Sequence, residues 1–396
     1  MREHVKNSTL ILILIVLFST ASAQSGKVPG VVVNYIPAHT KVYIGSPSIC
    51  ILPNGDYVAS HDHFGPGTTE HQRALTAVYK STNKGKSWTK ISQIEGQFWS
   101  NLFVHKNELY ITGTWKHHGN FIIRRSLDDG KTWSEPTDGN HGLLLEGEYH
   151  TAPMPVIYHK GRLWRAIENA KADTKAWGKR YSAMVISAPV DADLLVSSNW
   201  TATNFLPYDS TYLDGKFGGW LEGNVVVTTE GAMVDILRVA TSEQGRDMAA
   251  VVQISDDGTK AVFSPETGFM DFVGGAKKFS IRYDEKSERY WTLANMVKKE
   301  FSHLPASAVR NTLVLKSSPD LKSWTVHEIL IEHPDVKMHG FQYVDWQFDG
   351  RDIIYLSRTA FDDEFGGAHN FHDANYLTFN RIKRYQKLQR KTLQTE

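Results

Sequence analysis

The chain has 396 residues, and its 44 Lys and Arg against 43 Asp and Glu leave a formal net charge of +1. That balance gives no electrostatic case for nucleic acid as a partner, and a lone cysteine, Cys50, rules out an intrachain disulfide framework. The 11 Trp and 16 Tyr suit either a β-rich core or a surface that stacks on the C–H faces of sugars.

Residues 1–23 read as a secretory signal peptide. Arg2 and Lys6 form the basic start, Leu10 to Phe18 the apolar run, and Ala21-Ser22-Ala23 a small-residue cleavage site before Gln24. The run is too short to span a bilayer, and no later one is longer. Export to the periplasm or beyond is therefore expected, with no membrane anchor and a single domain over 24–396. Cys50, in PSICIL, reads as a small core residue.

From there the chain falls into strand clusters over 48–92, 98–136, 150–190, 223–265, 277–330 and 340–382. Each opens as strand, polar turn, strand, with PNGD, HKNE, HKGR, TTEG, DEKSE and FDGR as the turns. Units of about 45 residues with short strands and no long helix predict an all-β fold, a β-propeller of four-stranded blades. Six blades are counted, with VVVNYI (31–36) completing the last and closing the ring. Three clusters also share a turn: STNKGKSW (81–88), SLDDGKTW (126–133) and SSPDLKSW (317–324), the last with Leu321 in place of glycine. SDDGTKAVF (255–263) is a degraded copy. Asp or Asn folding back on its own backbone, with a following strand that starts at Trp, makes these turns outer staples of the scaffold.

Chemistry is then expected on the loops at one mouth of the channel. His150 sits beside Tyr149 in GEYHTAPMPV. Trp220, Glu222 and Asn224 alternate, so a regular strand puts them on one face. Arg238 follows Ile236 and Leu237. Arg282, Tyr283 and Tyr290 come next, then Arg310 and Arg358, and His369, His372 and Asp373 in GGAHNFHDANY. His61, Asp62 and His63 stand near the start. Two histidines three apart on a strand or loop point to different faces, which disfavours a metal at HxxHD. HExxH, a phosphate loop and GxSxG are all missing from the sequence.

The repeated turns resemble the Asp boxes of sialidases. YHTAP, GWLEGN, ILRV, IRY, RNTL and HNFHDANYLTF resemble, over roughly 45–385, secreted propellers acting on rhamnose–glucuronate linkages: ulvan lyases, rhamnosyl-glucuronate lyases and related α-L-rhamnosidases. That resemblance implies seven blades and elimination at C4–C5 of glucuronate in a rhamnose-containing oligo- or polysaccharide. His150 and Tyr283 would be the proton-transfer pair and Arg238 the carboxylate clamp. Trp220, Asn224, Arg310, Arg358 and His369 would hold the sugars, with Tyr208 and Tyr212 as weaker candidates. The leaving group is either the 4-O-linked sugar or, at a chain end, water. Sialidases use three arginines, a Tyr–Glu nucleophile pair and an early Arg-Ile-Pro. This chain lacks Arg-Ile-Pro, but Arg238, Arg310 and Arg358 offer a trio of their own. Hydrolysis, with His61 as candidate in the rhamnosidase case, and sugar binding without catalysis are the alternatives. No cofactor is required on these readings, a structural metal is left open, and a monomer is expected.

Overall fold

The computed structural model describes residues 26–390 and 393. The signal-peptide expectation lies outside them.

Among the described residues all sheets are antiparallel, and helix is confined to short 3-10 turns. Three sheets have four strands: Tyr43–Ile51 to Thr89–Glu95, Ser280–Asp284 to Thr325–Glu332, and Gly340–Asp349 to Tyr376–Ile382, the last including Val31–Tyr35. A five-stranded sheet starts at Phe217–Val227. The eight-stranded sheet splits into two groups of four, Phe98–His105 through Leu143–His150 and Ile157–His159 through Thr201–Ala202. Its halves are stitched only where Tyr149 and His150 pair with Asn169 and Glu168. The result is an all-β propeller of six blades among the described residues, five of four strands and one, starting at Phe217–Val227, of five. Six matches the sequence count and corrects the seven that the family resemblance implies.

Each blade packs its flat faces on its neighbours through large apolar groups. Trp164, Trp220, Trp291 and Trp346 are fully buried between blades. Cys50 is buried with Leu52, Val58 and Ile111, and burial pushes its thiol up. The ring closes where Val31–Tyr35 adds antiparallel to Tyr376–Ile382, as the VVVNYI stretch predicts.

The repeated turns join third and fourth strands at the outside of their blades. In SLDDGKTW, Asp128 accepts hydrogen bonds from Ser126 Oγ at 2.9 Å, Lys131 N at 3.1 Å and Thr132 N at 2.9 Å. Trp133 Nε1 donates to the Gly130 carbonyl at 3.1 Å, which tucks the indole under the turn. Asp320 repeats this with Ser318, Lys322 and Ser323. The third copy is one residue shorter between acid and tryptophan, so Leu321 takes the left-handed conformation, at φ 65°, and buries its side chain. No helix among the described residues is long and apolar enough to cross a membrane.

Candidate active site

Four of the six inner strands carry a β-bulge near their N-terminal ends. The register shifts fall between Ile44 and Pro47, Phe98 and Asn101, Leu221 and Asn224, and Gln342 and Asp345. A bulge re-aims the side chain it displaces. Trp99, Glu222 and Tyr343 occupy these bulges with positive φ of 48°, 58° and 52°. For non-glycine residues such a conformation costs on the order of 1–3 kcal/mol, and it persists where the surroundings over-determine it. At Glu222 the surroundings are visible. Glu168 Oε1 accepts the Glu222 N–H at 2.7 Å and the Gly223 N–H at 3.3 Å, while its Oε2 lies 2.7 Å from His150 Nδ1. Gly223 is needed here because a Cβ would collide with the Asp235 carboxylate.

The bulges open onto a cavity of about 260 Å³ lined by Asp62, Trp99, His117, Trp177, Arg238, Arg310, Tyr343, Arg358 and His372, among others. Tyr343 is bracketed by cations. The Arg310 and Arg358 guanidiniums lie 5.5 Å and 4.8 Å from its ring centroid, and its side chain also bears on Arg238. Each arginine is anchored by the protein. Arg238 Nη1 donates to Glu222 Oε2 at 3.0 Å and its Nε to the Ala276 carbonyl at 2.9 Å. Arg310 donates to the Ser307 carbonyl and to Gln342 Oε1. Arg358 donates to the His372 carbonyl.

Electrostatics then select the ligand. Arg238, Arg310 and Arg358 are almost fully buried. Burial, with the charges of Arg238 and Arg358 adding to it, pushes Arg310 down to about 10. Burial also lowers Arg358. Among the described residues Glu222 is the one carboxylate bonded to the trio. Burial acts to raise it, but the neighbouring charges, that of Arg238 first, outweigh burial and hold it below its ordinary value. Three mutually repelling buried cations with one bonded carboxylate are relieved by an anion in the cavity. Asp62, on the second strand of the first blade, has the opposite character. Burial pushes its carboxyl up to about 7, its Oδ1 is buried without a partner, and Gly45 leaves it room that a Cβ would fill. At that value the carboxyl is about half protonated at neutral pH, at the edge of a cationic cavity.

The sequence-predicted residues divide. Arg238, Arg310 and Arg358 share the cavity. His150 is buried next to it rather than in it, with its ring 4.3 Å from Trp99, 5.4 Å from Trp177 and 4.4 Å from Tyr181. Burial drives its pKa down to about 3 and that of Glu168 up to about 8, favouring the uncharged form of each. Tyr283 lies in a separate groove with Tyr158 and Tyr290, so the expected His150–Tyr283–Arg238 constellation does not assemble. Trp220 is an inter-blade core residue rather than a sugar platform. Asn224 is also structural: it donates to the Ile236 and Phe279 carbonyls and accepts from Ile281 N, joining two blades. His369 is exposed over Tyr43, outside the cavity. Tyr208 and Tyr212 pack on Phe217. His61 is buried, with Nδ1 3.0 Å from the Asp62 carbonyl and Nε2 3.0 Å from Asn34 Nδ2. His372 and Asp373 bond each other at 2.8 Å. Tyr343 escaped the sequence reading altogether, in GFQYVDW.

No family model and no curated protein matches the chain. Solved structures do resemble it. The α-L-arabinanase of Penicillium chrysogenum, complexed with arabinobiose, aligns with a TM-score of 0.54 at 15% identity over 91% of this chain and 98% of its own. The Hadza microbial sialidase Hz136 gives 0.58 at 15% identity over 90% and 69%. The Trypanosoma rangeli sialidase in complex with sialic acid gives 0.54 at 15% identity over 88% and 55%. At such identities the likeness is one of fold, and the chain has the propeller fold of these proteins.

Proposed function

We propose that the protein is a retaining glycoside hydrolase that removes a carboxylate-bearing sugar from the end of a glycan. The observation that carries this is the grouping of Arg238, Arg310 and Arg358 around Tyr343 in a cavity that also holds Asp62. A glycan-processing role is supported by the arabinanase and sialidases among the structural neighbours. The arginines bind the substrate carboxylate. A carboxylate nucleophile would be repelled by that group, whereas a neutral phenol is not, which suits Tyr343 to attack the anomeric carbon. Glu222, tied to Arg238, draws off the phenolic proton as the bond forms. Asp62 donates its proton to the departing oxygen, then takes one from the water that releases the sugar from Tyr343.

A second reading, elimination at a uronate, is favoured by the same arginines. They would neutralise the carboxylate beside C5 while Tyr343, having passed its phenolic proton to Glu222, takes the C5 proton and Asp62 protonates the 4-oxygen, releasing a sugar or water. In that scheme Tyr343 and Asp62 replace His150 and Tyr283.

The test offers the protein aryl glycosides of 2-keto sugar acids and glucuronate-terminated, rhamnose-containing oligosaccharides, with products read by mass and ultraviolet absorbance. Cleavage with gain of water is the expected result, and Tyr343→Phe should reduce it by at least about 10²-fold. A conjugated, unsaturated uronate would replace hydrolysis with elimination. Undiminished turnover by Tyr343→Phe would overturn both.

A further inference from the structure

Two loops from neighbouring blades meet at the rim of the cavity. Glu70 and His71 lie between the second and third strands of the first blade, and His117 between those of the second. The His117 N–H donates to the Glu70 carbonyl at 2.8 Å, which fixes the loops together. Glu70 Oε1 lies 3.3 Å from His71 Nε2 and 3.5 Å from His117 Nδ1. The two imidazoles are stacked, with centroids 4.6 Å apart. All three ligand atoms lie within 4.8 Å of one another.

The details are those of an arranged donor set. Glu70 Oε2 accepts the Gly65 N–H at 3.2 Å, leaving Oε1 directed at both histidines. His117 Nδ1 is buried without a hydrogen-bond partner, although a buried imidazole nitrogen normally has one. Its ring is held from behind by Phe98 and Trp99. Ligands about 2 Å from one ion are separated by roughly 3–3.5 Å in a tetrahedral site, close to the spacings of Glu70 Oε1 to each histidine.

We propose that Glu70, His71 and His117 form a binding site for a zinc-like divalent cation. Two imidazoles and one carboxylate suit a borderline transition metal rather than calcium, which takes oxygen ligands. Three protein ligands leave a coordination position open. Glu70 and His117 also line the cavity, so a ligand in that position is placed at the cavity rim. The site draws on none of the groups assigned to bond cleavage and stands apart from the proposed reaction.

The protein is stripped with a chelator, dialysed against zinc sulfate or calcium chloride, and assayed for bound metal by elemental analysis and for melting temperature. Wild type should retain about one zinc per chain, as a single site of this kind holds, with a raised melting temperature and no calcium. His71→Ala changes a side chain that is 72% exposed and should leave the fold intact. It and Glu70→Gln should lose the zinc and the thermal shift, while His303→Ala should keep both. No zinc in the wild type, calcium in its place, or zinc retained by His71→Ala would each overturn the assignment.

Discussion

Asp62 sets the expected pH response. Burial holds its folded-state pKa near 7, against about 3.9 for an unfolded aspartate. As the proton donor it is competent below that value, so kcat/KM should fall as pH rises through about 7, and Asp62→Asn should remove this limb along with most turnover. Stability follows the same sign. The folded chain retains a proton that the unfolded chain has released, so this group's contribution is full below about 4 and is lost as pH rises toward 7. Thermal melts across pH should therefore show Asp62→Asn gaining on the wild type between about pH 4 and 7; parallel profiles across that window would contradict the buried-acid assignment. At this scale the sequence was partly legible. The arginines stood out because a cation among aliphatic strand residues needs a reason. Tyr343 did not, because a tyrosine in GFQYVDW reads as one more aromatic of a β core, and only the surrounding guanidiniums distinguish it. Tyr283 looked equivalent in sequence but lies across from Tyr290 on the wrong groove.

Elements were easier to read where the signal was local. The Asp-box turns are built from hydrogen bonds within a few residues, so residue types alone reveal them. Burial acts to raise the Asp128 carboxyl, but the bonds from Thr132, Ser126 and Lys131 together outweigh that and hold Asp128 down to about 2. Its contribution is present above about 4 and is lost as pH falls through 2. Asp128→Ala removes several such bonds from a partly exposed turn and should cost about 1–2 kcal/mol. The urea midpoint should drop while catalysis by the folded protein is unchanged; a loss of kcat at full folding would contradict the staple role. The bulges were illegible for the converse reason. Trp220, Glu222 and Asn224 share a face on a regular strand, but the shift between Leu221 and Asn224 interrupts the alternation. Trp220 then enters the core while Glu222 meets Arg238. The lock that holds the shift, Glu168, lies 54 residues upstream of Glu222.

The whole ring depends on one pairing between its ends. Deleting residues 24–36 removes Val31–Tyr35 from its pairing with Tyr376–Ile382 and exposes that strand as an edge, a template for association with other chains. The truncated protein should melt at lower temperature and elute as higher oligomers in size-exclusion chromatography; an unchanged monomer-like profile and melting point would show closure to be dispensable. Six repeats with their turns made the architecture readable, whereas the site needed residues from four blades that no local window contains. The bulges have one more consequence. Gly45-Ser46, Trp99-Ser100, Glu222-Gly223 and Tyr343-Val344 are skipped by the cross-strand registers that hold their blades. Substitution at Trp99, Glu222 or Tyr343 therefore breaks no cross-strand pair, whereas Gly45 and Gly223 must stay small beside Asp62 and Asp235 and Val344 belongs to the core between blades. A lineage carrying this ring could change its chemistry a few letters at a time, leaving the frame inherited and the reaction free to drift.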